Sequence, residues 1–243
     1  MTGTEVGDSL NTTFARVVAR LRSIVSLFGF HTRQLFSWQT AALVAGLGLF
    51  LGVRLGQMNV SMPSDCLFTL YALETGVFVL LSMGLITRER DLGALEMTLV
   101  SSRGFHSLIL IKFIPMAFWA LAMGLCAALG LKWMIGGFGW GLALLFAYTT
   151  GMLFGMTAHY LSVMTRNAYM GAGGALLLAF FVYAYFAGKS HRALLDPFVQ
   201  IFQKGPEELD WKVLSWNRFF VFAWMGVFYD QSIRRMRRIE LWV

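Results

Sequence analysis

Apolar residues are gathered into six blocks along the chain, and short polar segments between the blocks carry most of the charges. A block of about 20 apolar residues can cross a bilayer as an α-helix. The pattern predicts spans at residues 35–53, 66–86, 108–131, 139–163, 168–186 and 219–229. The last block is short, and it crosses only if Trp216 and Ile233 lie close to the two membrane interfaces.

A further patterned segment, residues 14–28, precedes the first span. Its apolar residues recur at the three- and four-residue spacing of one helix face; they are Phe14, Val17, Val18, Leu21, Ile24, Val25 and Phe28. Arg16, Arg20 and Arg22 lie off this stripe, where they can meet anionic lipid head groups. We predict an amphipathic helix in the membrane interface. The alternative is that its apolar face packs on another protein helix.

The composition fits a chain with little surface in water. Of the 243 residues, 57% are hydrophobic and 14% are charged, and the mean hydropathy is +0.63. Soluble domains carry about 25% charged residues. We therefore predict an all-α polytopic membrane protein with six transmembrane helices and no soluble catalytic domain. The N-terminus is polar, contains acidic residues and does not resemble a secretory signal peptide.

Positive charges orient the predicted spans. With a cytoplasmic N-terminus, about two thirds of the 20 Lys and Arg residues fall on the cytoplasmic side, as is usual for membrane proteins. Both termini are then cytoplasmic, in a multi-pass protein of the cell (inner) membrane. A tail and amphipathic helix at 1–34 precede a transmembrane domain at 35–243. Within that domain we expect a cytoplasmic coupling loop at 87–107 and an external segment at 188–217.

Small residues and cysteines give expectations about packing and depth. Glycines spaced for close helix approach occur in three spans, at Gly48, Gly52 and Gly56, at Gly151 and Gly155, and at Gly171 and Gly174. Cys66 is expected at the outer end of the second span and Cys126 within the third, so an external thiol reagent should reach Cys66 more readily than Cys126. Neither cysteine has a neighbourhood that favours a disulfide or a zinc site.

No motif assigns a catalytic site to the chain. The sequence has no phosphate-binding loop of the GxxxxGK[ST] type, no GxSxG and no HExxH. We therefore expect no enzymatic activity and no metal or cofactor bound by this chain. His106 and His159 fall near the cytoplasmic ends of spans, where two imidazoles could clamp a haem. Polar anchoring is the commoner role of such interfacial histidines.

Glu74 is the one carboxylate inside a predicted span. At ~1.5 Å per residue it lies roughly 12 Å below the outer end of the second helix. An ionisable group at that depth costs on the order of 3 kcal/mol and should face a partner or a water-filled cavity. Two roles stay open. Glu74 could pair with Arg54 or Tyr71 and fix helix packing, or it could line a substrate path.

The loop between the second and third spans, residues 87–104, is dense in paired charges at its start. A short helical pattern follows, with apolar residues at Leu92, Leu95, Met97, Leu99 and Val100, and Gly104 closes the segment. A short helix of mixed polarity can bind in a groove on a soluble partner. The alternative is an ordinary solvated loop.

The string RERDLGALEMTLVSSRGFHSLILIKF, residues 88–113, resembles ABC-2 type permeases, the membrane subunits of one class of ATP-binding-cassette exporter. In that family a charged run, a glycine, a small residue, a leucine and a glutamate precede a turn and a lysine in the third span. The matching positions are Arg88, Glu89, Arg90, Gly93, Leu95, Glu96, Ser101, Arg103 and Lys112. The proline typical of the turn is absent, and Ser101, Ser102 and Arg103 occupy its place.

The resemblance implies a permease that dimerises with an identical or related chain and pairs with a cytoplasmic ATP-binding subunit, with membrane lipids around it and no nucleic acid. ATP and Mg would bind to the partner subunit. The residues implied in ATPase coupling are Glu89, Arg90, Asp91, Gly93, Leu95 and Glu96. The implied function is outward movement of an amphipathic or polymeric substrate. The other class of function is a membrane anchor or integral subunit of a redox complex.

Overall fold

A computed structural model describes residues 22, 25–26, 28–33, 38–57, 63–83, 85, 105–134, 139–186, 195–198 and 211–238. Within these ranges the regular structure is entirely α-helical. The helices are α1 (Trp38–Gln57), α2 (Pro63–Ser82), α3 (Phe105–Met134), α4 (Trp140–Thr165), α5 (Ala168–Phe186) and α6 (Trp211–Met236). Each predicted span therefore corresponds to a helix, although the helix ends differ from the predicted ends.

Four of these helices contain segments long and apolar enough to cross a membrane: Asp65–Ser82, His106–Trp133, Trp140–Thr165 and Ala168–Phe186. The protein is therefore a helical membrane protein. In α1 the apolar stretch among the described residues is Ala41–Phe50. The helix α6 has 26 residues and extends for about 39 Å. It is not one of the four apolar segments because it contains too many polar residues. That α1 and α6 also cross remains a prediction.

The helices α2 and α4 form the centre of the bundle. Within their apolar segments 67% and 72% of the residues are buried, against 22% in α5. Gly151 and Gly155 of α4 face Glu74 and Phe78 of α2, respectively, so the two helices run parallel, as the predicted topology requires. Around this pair, α3 packs on α2 and α4, α5 packs on α4, and α1 packs chiefly on α2.

Glycine sets the approach of several helices. A Cβ at Gly151 would lie 2.8 Å from the Glu74 carbonyl oxygen, and a Cβ at Gly171 would lie 2.5 Å from the Ser162 amide nitrogen. Side chains at either position would push backbones apart. The α1 glycines behave differently, because the space beside Gly48 and Gly52 is open. The expectation of close packing is met in α4 and α5 and is not met at these two positions.

Part of the predicted amphipathic helix packs against α3. Residues 28–33 are helical, and of the segment 14–28 the described residues are Arg22, Val25, Ser26 and Phe28. The Phe28 ring lies 5.4 Å from the Phe118 ring of α3, and the Trp119 indole N–H donates to Thr32 Oγ1 at 3.2 Å. Val25 is exposed. The apolar face thus contacts a protein helix at its end, and its contact with lipid remains a prediction.

Candidate functional site

Glu74 lies inside the bundle, enclosed by α2, α3 and α4. Its side chain is 1% exposed. The space for the carboxyl group is provided by Gly124 of α3, because a Cβ there would collide with Glu74 Oε1 and lie 2.7 Å from Leu144 Cδ1. On the other side Gly151 lets α4 approach the Glu74 backbone. The niche therefore depends on one glycine from each neighbouring helix.

Neither carboxylate oxygen of Glu74 has a hydrogen-bond partner within the described residues, and the same holds for Thr75 Oγ1. The Tyr71 ring, one turn earlier in α2, packs against Phe198 at 5.5 Å. The predicted pairing of Glu74 with Tyr71 is thus not formed as a hydrogen bond, and the Arg54 side chain lies outside the described residues. Buried carboxylates without partners are costly. In membrane proteins they often mark functional positions.

A buried lysine holds the end of α2 at the predicted cytoplasmic side. Lys112 of α3 is 5% exposed, and its ammonium donates to the carbonyl oxygen of Leu85 at 2.5 Å. A cation is favoured at a helix C-terminus, where carbonyl groups lack partners. This bond ties α3 to the chain just as it leaves α2. The predicted coupling residues Glu89, Arg90, Asp91, Gly93, Leu95 and Glu96 follow, and they lie outside the described residues.

The two histidines occupy different environments. His106 is exposed, and its ring nitrogens lie 3.1 Å from the Tyr229 hydroxyl and 3.2 Å from Arg237 Nη2. His159 of α4 is 1% exposed, and its Nε2 has no partner in the described part of the chain. No group of three or more His, Cys, Asp and Glu side chains there is arranged to hold a metal ion.

A cluster around Arg218 of α6 forms the predicted external end. Its guanidinium lies over the Phe146 ring at 4.3 Å, and one nitrogen, Nη1, donates to three acceptors of α4. These acceptors are the Phe146 carbonyl at 3.1 Å, Thr149 Oγ1 at 2.7 Å and Thr150 Oγ1 at 3.2 Å. Nη2 donates to the Pro197 carbonyl at 3.1 Å. Arg218 therefore links α6, α4 and the external segment.

The described part of the external segment, Leu195 to Phe198, folds back into the bundle. Thr150 Oγ1 donates to the Pro197 carbonyl at 2.5 Å, and Asn217 Nδ2 donates to the Asp196 carbonyl at 2.8 Å. These bonds seat the buried Phe198 against Phe154, with centroids 5.3 Å apart, and against Tyr71. The segment thereby packs on the middle turns of α2 and α4.

Asp196 shapes this turn. Its Oδ1 accepts from the Phe198 amide at 2.9 Å. An aspartate side chain that accepts from the backbone amide two residues later stabilises a turn. Burial raises the pKa of Asp196 to about 6, while the Phe198 amide and the Arg218 charge oppose that rise. The carboxyl group of the turn therefore titrates in mildly acidic conditions.

Sequence reasoning singled out Glu74 and Lys112, but it did not find Arg218 or Gly124. A usable signal for Arg218 was its position directly before the apolar run of α6, where a charged side chain needs acceptors from its neighbours. Gly124 gave no local signal, because its role depends on the long-range contact with Glu74.

No protein-family model matches the chain, and no curated protein matches it at a significant level.

Proposed function

We propose that the chain is the permease subunit of an ATP-binding-cassette exporter in the cell membrane, and that it moves an amphipathic or polymeric substrate outward. ATP would be hydrolysed by a separate cytoplasmic subunit, and two permease chains, identical or related, would act together. The observation that best supports the proposal is the bond from Lys112 to the Leu85 carbonyl. It fixes the chain end from which the charged loop departs.

This bond gives the loop a mechanical connection to the spans. A partner that displaces residues 88–103 would pull on the end of α2 and, through Lys112, on the first turns of α3. Because α2 carries Glu74 and packs closely on α4 at Gly151 and Gly155, the displacement would reach the centre of the bundle. Two arrangements of packed helices, biased by nucleotide on the partner, would suffice for alternating access.

Glu74 is our candidate for the substrate path. It is buried between three helices that would move relative to one another, and its oxygens have no hydrogen-bond partner in the described structure. A change in packing at Gly124 would expose the carboxyl group to a substrate or to water. Opening the niche around Glu74 would add its carboxyl group to the path.

Charge reversal in the loop tests the proposal. Glu96→Lys should abolish the coupling of ATP hydrolysis to transport by the permease–ATPase complex, isolated in mild detergent from native membranes. Stability should stay within about 0.5 kcal/mol, as for most surface substitutions. Lys212→Glu, an exposed charge reversal at the predicted external end, is the matched control. Unchanged transport and co-purification with Glu96→Lys would refute the coupling role. A haem absorption band in the purified protein would favour the redox class instead.

A further inference from the structure

An apolar groove of about 530 Å³ runs along the side of the bundle between α1, α2 and α3. One wall is formed by α1 at Val44, Gly48 and Gly52, and the floor by α2 from Thr69 to Val77. The other wall is the face of α3 from Trp119 to Leu131. Since nothing lies within 4 Å of a Cβ at Gly48 or Gly52, the groove stays open along α1.

The side chains that line the groove are mostly apolar and offer few groups for hydrogen bonding. The hydroxyl of Thr69 already donates to the Asp65 carbonyl at 2.8 Å, and the Trp119 indole N–H donates to Thr32 at 3.2 Å. Apart from the weakly polar Cys126 thiol, the remaining lining side chains are apolar. Water gains little in such a space, so the occupant that fits it chemically is an apolar chain.

The length of the groove matches one leaflet. From Trp119 to Leu131 the lining extends for about 18 Å along α3, close to the ~15 Å that half of a bilayer hydrocarbon core measures. Its inner end is closed by Trp119, which the residue 28–33 segment holds through Thr32. Its outer end meets the last turn of α3, where Lys132 and the 91% exposed Trp133 stand. Lysine and tryptophan are typical of the membrane interface.

A volume of about 530 Å³ spread over ~18 Å admits a single extended hydrocarbon chain. A helix of a second copy is the other apolar occupant, and the experiment below distinguishes the two.

We propose that the groove between α1, α2 and α3 binds one acyl chain of a bilayer phospholipid from the predicted external leaflet. The chain lies along Cys126 and Met123 and ends near Trp119, and the head group lies at the level of Lys132. The lipid completes the weakly packed side of α1, whose main protein contact is α2. This inference does not depend on the transport function.

Photolabelling tests the site in the full chain. The protein is placed in vesicles of phosphatidylethanolamine and phosphatidylglycerol that contain phosphatidylglycerol with a diazirine midway along one acyl chain. After irradiation, labelling of residues 119–131 is measured by mass spectrometry and divided by labelling of Leu177, Phe180 and Phe181, which lie on the exposed face of α5. This ratio corrects for ordinary contact with bulk lipid.

Groove-filling variants should lower the ratio at least fivefold. Gly48→Phe and Gly52→Phe place a ring in the groove, and Gly46→Phe is the matched control, since Gly46 is on the same helix with open space but outside the lining. On α3, Gly130→Phe also fills the groove, and Gly141→Phe on α4 is its control because Gly141 lies outside the lining. This second pair of variants tests the site if the α1 variants fail to fold. Equal ratios in filling and control variants would overturn the site. So would an unlabelled 119–131 segment together with a Cys126–Cys126 disulfide between chains, because a second copy would then cover the groove.

Discussion

Cys66 and Glu74 show what can be predicted for a single residue and what cannot. Counting along an apolar block gives the position of each residue along its helix, and both lie in α2. It does not give the face of the helix. Cys66 is fully buried and Cys126 is exposed, so the expectation that an external thiol reagent reaches Cys66 more readily is not supported. Glu74 faces α3 and α4 because Gly124 and Gly151 leave room there, a long-range contact that no local pattern reveals.

The first prediction concerns Glu74→Gln. Because neither oxygen of Glu74 has a described hydrogen-bond partner, replacing the carboxyl group by an amide loses no described bond, and we expect the free energy of unfolding to fall by no more than about 1 kcal/mol. Transport by the complex should be lost or altered if Glu74 lines the path. Thermal unfolding in detergent and transport in vesicles are the measurements.

Thr75→Val is the matched control, since Thr75 Oγ1 is also buried without a partner in the described structure, and it should leave transport unchanged. Strong destabilisation by Glu74→Gln would indicate a packing role.

The second prediction concerns pH and Asp196. The pKa of about 6 in the folded protein exceeds the ordinary 3.8, so between these values the folded state keeps a proton that the unfolded chain has released. Stability should therefore fall as the pH rises from about 4 to about 6. Asp196→Asn should remove this contribution and keep the turn, because its amide oxygen can still accept from Phe198. Asp196→Ala should also remove it but should cost about 1 kcal/mol through the lost hydrogen bond. The measurement is the melting temperature of each variant across this pH range. If the melting temperature of Asp196→Asn still falls as steeply with pH as that of the unsubstituted protein, Asp196 is not the titrating group.

At the scale of elements, the existence of all six helices could be predicted, and their ends only where a local signal sets them. The predicted span at 168–186 coincides with α5, whose start is capped by Asn167 Oδ1 accepting from the Tyr169 and Met170 amides at 2.9 and 3.1 Å. By contrast, α6 begins at Trp211, eight residues before the predicted 219. Polarity at Asn217 and Arg218 suggested a loop, but both residues find acceptors on neighbouring elements and remain helical.

The end of α2 shows a similar long-range effect. The apolar block continues to Ile86, yet the helix ends at Ser82. Ser82 Oγ donates to the Val79 carbonyl at 3.0 Å, and the Lys112 ammonium of α3 donates to the Leu85 carbonyl. The Met83 and Leu85 amides donate to the terminal carbonyls of Val79 and Ser82 at 3.0 and 3.2 Å, while the side chain from α3 satisfies a carbonyl just beyond the helix end. The local sequence contained no sign of this, although the resemblance to the permease family had marked Lys112.

For the molecule as a whole, the two ends of the bundle are organised differently. At the predicted external end the Arg218 cluster fastens the external segment over α2 and α4. At the opposite end the buried Lys112 of α3 donates to the Leu85 carbonyl, and the His106 ring nitrogens lie within hydrogen-bond distance of Tyr229 and Arg237. The order of the helices follows from hydropathy, whereas these fastenings depend on contacts between residues far apart in sequence.

The last prediction tests that fastening through Lys112→Met. Methionine keeps much of the buried volume and removes the donor, so the Leu85 carbonyl loses a charge-assisted bond and the free energy of unfolding should fall by about 1–3 kcal/mol. If the bond transmits movement, amide hydrogen exchange should accelerate in residues 83–104 and not at the outer ends of α2 and α4. In the complex with the ATPase, ATP hydrolysis should continue with reduced transport. Lys132→Met, at the other end of the same helix and exposed, is the matched control and should change neither exchange in 83–104 nor coupling. Exchange in 83–104 that matches the control would mean that the loop is held by other contacts, and Lys112 would then serve only the packing of α3.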